Sequence, residues 1–496
     1  MTPLSHGADW DFELLERYDA AIARTAAEYG LDTYPNQIEI ITSEQMLDAY
    51  ATSGLPVGYP HWSYGKEFIR NEQAYRRGMQ GLAYEIVINS NPCIAYLMEE
   101  NSMATQALVI AHASYGHNSF FKGNHLFRQW TAADAILDYL IFARRFVLDC
   151  EERHGAAAVE EVLDACHALM AHGVDRYRRP AALTLKAETA RLAEREAHRE
   201  RQFNDLWRTL PPERTLPPRS DPAAGVPAEP QENILHFVEK FSPKLEPWQR
   251  ELVRIVRKLA QYFYPQAQTK VMNEGWATFW HYTILNRLHE QGLVDDAFML
   301  EFLKNHTNVI AQPAFDAQNY NGLNPYALGF ALFADLKRVC ERPEAEDRAW
   351  FPELAGSDWR TTLDFAMRNF KDESFIAQYL SPRVMRQFHL FAIADHQNEP
   401  TLCVDSIHNE HGYRRVRQLL AAQHSRESRV PDVQVVAYER EGDRSLTLRH
   451  STYRDRRLSD DAREVVKHLH RLWGFAVRLE TWNGATRVGN VLECAS

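Results

Sequence analysis

The stretch that decides the fold runs from Val271 to Asn286 and reads Val-Met-Asn-Glu-Gly-Trp-Ala-Thr-Phe-Trp-His-Tyr-Thr-Ile-Leu-Asn. It has no proline and one glycine, and its apolar and aromatic residues recur too densely for a helix with a solvated face. The pattern therefore predicts a helix that is buried on most of its circumference. Glu274 stands near the start of this helix, and a buried carboxylate is costly unless it is paired, hydrogen-bonded or bound to a metal. We expect another part of the chain to supply its partner.

The composition is that of an ordinary globular protein. Its 496 residues exceed the size at which one hydrophobic core usually stops growing, so two or three domains are expected. Hydrophobic residues make up 45% of the chain, but no run of about 18 apolar residues occurs, so we expect no membrane span and a cytoplasmic location. The formal net charge of -11 argues against a dedicated nucleic-acid binder, because phosphate backbones select a basic surface.

Helical periodicity dominates the chain up to about residue 382. We predict a first helical half at 1–209, a proline-rich linker or mobile loop at 210–233, and a second helical half at 234–382. From 385 to 496 strands and helices alternate in the order ββαββαββ, which predicts a separate α+β domain. The expected fold class is therefore mainly α, a large helical domain followed by a small α+β domain.

Two histidines upstream are the candidate partners of Glu274. His112 and His117 lie in a predicted helix, and Gly116 directly precedes the second of them. In a regular helix, residues five apart diverge by roughly 140° around the axis, whereas residues four apart share a face. A π-bulge beside Gly116 would bring the two imidazoles onto one face, and such bulges concentrate at functional sites. The two rings could then share a metal ion with Glu274.

A set of two His and one Glu with an open fourth position is typical of zinc sites that lower the pKa of bound water towards about 7. Gly275 would allow a second helix to approach the Glu274 helix closely. His281 lies on the face of Glu274 but about 10.5 Å along the axis, which suits a substrate-facing or supporting role better than ligation. The alternative is that these histidines are satisfied core residues, the commoner role of a buried imidazole.

Five longer motifs extend this pattern along the chain. They are Tyr34-Pro-Asn-Gln37, Gly58-Tyr-Pro-His-Trp-Ser-Tyr-Gly-Lys66, Ala111-His-Ala-Ser-Tyr-Gly-His-Asn-Ser-Phe-Phe121, Met272-Asn-Glu-Gly-Trp-Ala277 and Gly442-Asp-Arg-Ser-Leu446. Together they resemble the stage V sporulation protein R (SpoVR) family over nearly the whole chain. The resemblance implies a link to spore cortex formation, or to stationary-phase stress beside a PrkA-type serine kinase and a von Willebrand-like partner. It implies no settled biochemical activity.

The segment Asn273 to Ala277 also resembles the Asn-Glu-Gly-Phe-Ala segment of gluzincin aminopeptidases, whose Glu is the third zinc ligand. This second resemblance implies a zincin-like helical domain in which His112, His117 and Glu274 bind zinc.

Two departures from the gluzincin pattern bear on the reaction. The histidine spacing is one residue longer than in His-Glu-x-x-His, and Ala113 stands where the general-base Glu belongs. Hydrolysis would therefore need another base. The candidates are Glu85, in a predicted strand, and Glu99 or Glu100, with His281 assisting.

The sequence leaves two main functional hypotheses. The first is a metal-dependent hydrolase acting on an amide in cell-wall peptide or a related substrate. The second is a non-enzymatic partner of the PrkA-type kinase complex, docking through the C-terminal domain and the basic helix around Tyr413, Arg414, Arg415 and Arg417. In that case, the arginines meet an acidic surface; otherwise they form a solvated helix face.

Overall fold

The computed structural model describes most of the chain. The described residues are 3–51, 58–59, 61, 85–177, 190, 193–194, 227, 229–394, 403–406, 409–452, 458–459, 461–484, 486–489 and 491–495. The predicted loop at 210–233 lies outside them except for residues 227 and 229–233, and so does most of the motif at 58–66. Within the described ranges, no helix combines the length and the apolar character needed to cross a membrane.

The chain is mainly helical, as predicted. The helices are α1 (Phe12–Glu28), α2 (Ser43–Ala51), α3 (Met103–Val109), a π-helix (Ile110–His117), α4 (Asn118–Gly123), α5 (His125–Trp130), α6 (Ile136–His154), α7 (Ala156–Ala168), α8 (Ile234–Phe241), α9 (Pro247–Gln268), α10 (Lys270–Glu290), α11 (Asp296–Val309), α12 (Pro325–Glu341), α13 (Ala345–Trp350), α14 (Trp359–Asn369), α15 (Asp372–Tyr379), α16 (Pro382–Gln387), α17 (Glu410–Gln423) and α18 (Ala462–Trp473).

The strands among the described residues form three small sheets. They are β1 (Asn36–Ile41), β2 (Glu85–Ile88), β3 (Cys93–Met98), β4 (Ala392–Ala394), β5 (Cys403–Ser406), β6 (Asp432–Tyr438), β7 (Leu446–Ser451), β8 (Val477–Asn483), β9 (Thr486–Arg487) and β10 (Leu492–Cys494). The first sheet has the order β1-β3-β2, with β1 parallel and β2 antiparallel to β3. Strands β4 and β5 form an antiparallel pair, and β10-β8-β7-β6 form the C-terminal sheet, with β9 paired to β8.

Contacts divide the chain into two compact units. The first consists of Met1–Glu152 and Tyr262–Arg429, and the second of Arg153–Gln261 and Val430–Ser496. In the second unit, β7 runs parallel to β8 and antiparallel to β6, and Trp473 of α18 is buried beside Phe237 of α8, with 5.9 Å between ring centroids. The alternating buried residues of β7 and β8 supply the sheet side of this core.

The unit boundary differs from the predicted start of the α+β domain at residue 385. The predicted elements are present in order, but β4, β5 and α17 belong to the first unit. Tyr413, Val416 and Leu420 on the apolar face of α17 join the first unit's hydrophobic core. The sequence pattern locates an apolar helix face, but it does not say which core that face joins.

Helix α10 is the buried helix predicted from the sequence. Trp276 is 2% exposed and Ile284 is fully buried, and both belong to the first unit's core. The predicted close approach at Gly275 is to α12, because a Cβ atom on Gly275 would lie 2.3 Å from the carbonyl carbon of Gly329. A side chain at either glycine would force the two backbones apart.

The start of α10 is capped by a residue from another helix. Thr269, at the N-cap position, makes no side-chain capping bond and donates its hydroxyl to Pro265 O instead. The buried carboxylate of Asp372 accepts the amide N–H groups of Val271 and Met272, each at 2.9 Å. Asp372 therefore satisfies two amide groups at the helix start that have no partner within the helix.

Replacing Asp372 with Asn tests this buried cap through the pH dependence of stability. Burial raises the pKa of Asp372 to about 7, although the two amide N–H groups act in the opposite direction. The folded carboxyl thus keeps its proton where the unfolded one loses it, and its contribution to stability falls as pH rises from about 4 to about 7. We expect the thermal midpoint of the wild type to fall relative to that of D372N over this window.

Asp358→Asn is the matched control for this measurement. Asp358 caps α14 from an exposed position, and its hydrogen bonds to Thr361 hold the pKa of its carboxyl below the usual value. Its contribution is therefore lost as pH falls, opposite in sign to that of Asp372. Parallel midpoints for D372N and the wild type across the window would contradict the role assigned to Asp372.

Candidate functional site

The π-helix explains the five-residue spacing of the two histidines. It continues directly from α3 and covers Ile110–His117. At its end, the N–H of Asn118 donates to the carbonyl of Ala113, five residues earlier, which is the hydrogen-bond spacing of a π-helix. The wider turn brings residues five apart together. The rings of His112 and His117 have centroids 4.6 Å apart and are nearly perpendicular, at 87°. The irregularity expected beside Gly116 is present and extends over all eight residues.

Gly116 sets the distance between the π-helix and α10. A Cβ atom on Gly116 would lie 2.6 Å from the Cα atom of Ala277, closer than such atoms ever approach. Ala277 itself is fully buried. The histidine helix and the Glu274 helix are therefore in direct backbone contact, which is why side chains from both reach one point.

Two carboxylates face the two imidazoles. His112 Nε2 lies 3.2 Å from Glu85 Oε1 and 3.8 Å from Glu274 Oε2. His117 Nε2 lies 3.9 Å and 3.4 Å from the same two atoms. The ligand atoms of Glu85, His112 and His117 all lie within 4.8 Å of one another. Glu85 reaches this point from β2, where it pairs with Leu97 of β3 on the face opposite to Ile86.

The opposite sides of both imidazoles are held by hydrogen bonds. His117 Nδ1 lies 2.9 Å from Asn273 Oδ1, and because an amide oxygen only accepts, Nδ1 carries the proton. His117 Nε2 therefore presents a lone pair to the carboxylates when the ring is neutral. His112 Nδ1 lies 2.9 Å from His281 Nδ1, and His281 Nε2 lies 2.8 Å from His306 Nδ1.

The charges in the cluster are strongly coupled. Burial would raise the pKa of Glu274, but the charge of His117 outweighs it and holds that pKa well below its usual range. Burial would lower the pKa of His117, but Glu274 and Glu85 raise it to about 9. Burial raises the pKa of Glu85, against the effect of both imidazoles. A proton on His117 thus neutralises part of the negative charge of Glu274 and Glu85. A bound metal cation could neutralise the same charge.

The atoms that converge at the cluster fit a divalent metal ion. His112 Nε2, Glu85 Oε2 and Glu274 Oε2 are buried and have no hydrogen-bond partner among the residues that the structure describes. Tetrahedral ligands at zinc bond lengths lie about 3.3–3.5 Å from one another, and the four nitrogen–oxygen distances span 3.2 to 3.9 Å. Imidazole nitrogens with carboxylate oxygens are also the donor types that zinc accepts.

The structure separates the residues expected to act as a base. Glu85 is in the cluster, and its side chain is 16% exposed, much like the 17% of Glu274. Glu99 and Glu100 are exposed in the turn after β3 and are not among the described contacts of the imidazoles. Neither residue lies in the cluster that Glu85 joins, and the expectation that either serves as the base stays a prediction.

His281 occupies the supporting position rather than the substrate-facing one. It has no exposed surface, and both of its ring nitrogens are engaged by other imidazoles. These contacts place His281 behind His112, and its expected assistance in catalysis stays a prediction. Asn273 and His306 were missed by sequence reasoning. Asn273 adjoins Glu274 in the recognised motif, but nothing in the sequence marks His306.

The first unit also contains a cavity that does not include the histidine cluster. It measures about 1320 Å³ and is lined by residues of α12, α17 and the segments 310–323 and 387–392, including Phe315, Phe330 and Phe391. The cluster histidines and carboxylates are not among its lining residues. The volume of this cavity therefore does not measure the space available to a substrate at the histidine cluster.

The fold and the cluster define a mainly helical protein with a buried site of imidazoles and carboxylates. A family model described as SpoVR like protein matches residues 9–429, and one described as SpoVR-like C-terminal domain matches residues 431–484. The chain belongs to the SpoVR family, as its motifs predicted. The division between the two family models coincides with the boundary between the two units at Arg429 and Val430.

One relative resembles the chain along nearly its whole length. The chain is 58% identical over 482 residues to the uncharacterized protein YcgB of Escherichia coli (strain K12). The match covers 97% of this chain and 94% of that protein. No solved structure matches the chain.

Substituting Gly116 with Ala tests the contact that forms the site. The new Cβ would meet the backbone of Ala277, which cannot move aside, so we expect a loss of about 1–3 kcal/mol in the free energy of unfolding of the first unit. Gly123→Ala is the matched control, because its Cβ would meet the flexible side-chain ends of Met367 and Arg368 and not a backbone. Chemical unfolding of both variants measures the difference. Equal losses of unfolding free energy in the two variants would show that the contact of Gly116 with Ala277 tolerates a side chain as well as the surroundings of Gly123 do.

Proposed function

We propose that the chain is a metal-dependent hydrolase, with its centre at His112, His117, Glu274 and Glu85. The observation that carries this proposal is the convergence of two imidazole Nε2 atoms and two carboxylates at one buried point, where the atoms His112 Nε2, Glu85 Oε2 and Glu274 Oε2 have no hydrogen bond to another described residue. A buried polar atom without a partner costs about 1–3 kcal/mol. Such a cost at three atoms around one point supports a missing ligand better than a satisfied core.

In this proposal, His112, His117 and Glu274 hold the ion, and zinc is the expected metal. Glu274 Oε2 lies nearly equally far from the two Nε2 atoms, at 3.8 and 3.4 Å, as a ligand of the same ion should. It also belongs to the helix whose Asn273 orients His117, so one rigid element places both groups. When bound, the ion polarises a substrate carbonyl and lowers the pKa of a bound water.

Glu85 is the proposed general base. It provides from β2 the carboxylate that a His-Glu-x-x-His helix would carry at the position of Ala113. Its carboxylate accepts a proton from the attacking water as the new C–O bond forms. The same proton then goes to the leaving nitrogen as the C–N bond breaks. The products are a carboxylic acid and an amine, so no further reactant is needed.

The substrate class proposed is an amide in a peptide or in cell-wall-related material. This choice rests on family resemblance, which also suggests a cytoplasmic role in sporulation or stationary-phase stress. A zincin-like domain is part of the same proposal, supported by the matching order of two histidines on one helix and a Glu on a later one. The histidine helix itself differs from that of a gluzincin because it is a π-helix.

The alternative is a non-enzymatic partner of a PrkA-type serine kinase and a von Willebrand-like protein. It would use the basic face of α17 to meet an acidic surface. Part of that face is engaged within the chain, since Arg414 pairs with Glu410, and Arg417 donates to Leu380 O and lies over Trp350. The histidine cluster has no role in this alternative, so we place it second.

Metal content tests the proposed centre directly. We expect the purified full-length protein to hold close to one equivalent of zinc after incubation with zinc and removal of the excess, and His117→Ala and Glu274→Gln to hold far less. His125→Ala is the matched control, because His125 is a partly buried histidine that bonds only to Arg368 O. Inductively coupled plasma mass spectrometry gives the stoichiometry. A wild type without stoichiometric metal would sink the proposal.

Glu85→Gln separates the base from the ligands. The amide keeps the size of the side chain but cannot accept a proton from water, so we expect metal content near that of the wild type. Amide hydrolysis, followed with a panel of peptide and aminoacyl anilide substrates, should fall at least about 100-fold, the lower end of the contribution of a general base. Loss of metal in E85Q with metal retained in E274Q would reverse the two roles.

A further inference from the structure

Three buried imidazoles form an unbranched chain that begins at the proposed centre. His112 Nδ1 faces His281 Nδ1 at 2.9 Å, and His281 Nε2 faces His306 Nδ1 at 2.8 Å. His281 is fully buried, His112 is 3% exposed and His306 is 4% exposed. The outer ring, His306, lies beside the exposed Tyr282, with 4.8 Å between the ring centroids. The chain therefore leads from the cluster towards the surface of the first unit.

The two hydrogen bonds restrict where the protons can be. A neutral imidazole has one N–H and one lone pair, so each ring in the chain must donate in one direction and accept from the other. In the outward arrangement, His112 Nδ1–H donates to His281, whose Nε2–H donates to His306, and His112 Nε2 is a lone pair. In the inward arrangement, His306 Nδ1–H donates to His281, whose Nδ1–H donates to His112, and His112 Nε2 carries a proton.

A positively charged His281 is a further arrangement, and its surroundings oppose it. It would donate to both neighbours and leave the charge in a side chain with no exposed surface. None of its described side-chain contacts is with a carboxylate, since its two hydrogen bonds go to imidazoles and its other ring neighbour is Phe302. An unpaired buried charge is far more costly than either neutral arrangement.

We propose that His281 and His306 are positioning residues for the centre, and that metal occupancy at His112 switches the whole chain from the inward to the outward arrangement. This inference rests on the proposed function, because a metal at His112 Nε2 is what requires the lone pair there. Of the two neutral arrangements, the inward one is favoured without a cation, since a lone pair on His112 Nε2 would face Glu85 Oε1 at 3.2 Å. With a cation, only the outward arrangement can bind it.

The switch conserves every proton. Metal binding displaces the proton of His112 Nε2, while His112 Nδ1 gains the proton of His281 Nδ1. His281 Nε2 in turn gains the proton of His306 Nδ1, and His306 Nε2 takes up one proton from the surroundings. One proton leaves at the inner end and one enters at the outer end, so the three rings stay neutral. The consequence is a change of tautomer at His306, a ring that does not touch the metal.

Nitrogen NMR of the full-length protein labelled with ¹⁵N-histidine tests this switch directly. His306→Gln identifies the signals of His306, which are then followed as zinc is added. We expect His306 to be protonated at Nδ1 before zinc and at Nε2 after it. Stoichiometric zinc binding with no change in the His306 tautomer would overturn the inference and leave the metal centre intact. Absence of any zinc binding would overturn both.

Zinc affinity supplies a second readout. His306→Leu removes the acceptor for His281, so we expect the dissociation constant for zinc to rise about 10- to 100-fold, measured by competition with a chromophoric chelator. His306→Gln should restore much of the affinity, because its amide can accept from His281 Nε2. His289→Leu is the matched control, since His289 lies in the same helix as His281 but bonds only to Asp296.

Thermal unfolding of the metal-free variants distinguishes positioning from a general structural role. A purely structural His306 would make H306L less stable without zinc but leave its zinc affinity unchanged once folded. The inference predicts weaker zinc binding even at temperatures where H306L is fully folded. Equal zinc affinities for folded H306L and the wild type would count against it.

Discussion

The close contact between the π-helix and α10 is the constraint on which the rest of the first unit depends. Gly116 lies against Ala277 with no space for a side chain between them. On the opposite side, Gly275 lies against Gly329 in the same way. Helix α10 is therefore held between two backbones, and small changes of volume on either side move Glu274 relative to the histidines. Close packing at these glycines therefore fixes the separation of the helices that carry the site.

Much of this arrangement could be predicted from the sequence. The aromatic density of the stretch from Val271 to Asn286 required a buried helix, and a buried Glu274 required a partner. The five-residue spacing of His112 and His117 allows a shared site only in an irregular helix, and Gly116 indicated where the irregularity would lie. These inferences depend on local periodicity and on the cost of burying charge, and both can be evaluated without knowing the fold.

Other parts could not be predicted because they depend on tertiary contacts between distant segments. The sequence alone does not distinguish Glu85, Glu99 and Glu100 as candidate bases. The pairing of β2 with β3 places Glu85 at the histidines. His306 joins the imidazole chain because α11 packs against α10. Hydrophobic periodicity predicts the two helices but not which side chains meet between them. The unit boundary near residue 430 depends on the same kind of contact, because the apolar face of α17 packs into the first unit's core.

The first unit is discontinuous, and this has a consequence for its assembly. The segment with Glu85 and the two histidines is synthesised first, then Arg153–Gln261 of the other unit, and only then the segment with Glu274 and Asp372. A nascent chain that ends before residue 262 thus has the histidines without the helix that orients them. Asp372, which caps α10, follows Glu274 in the chain. The complete set of proposed ligands therefore exists only once Glu274 has been synthesised, after Arg153–Gln261 of the other unit.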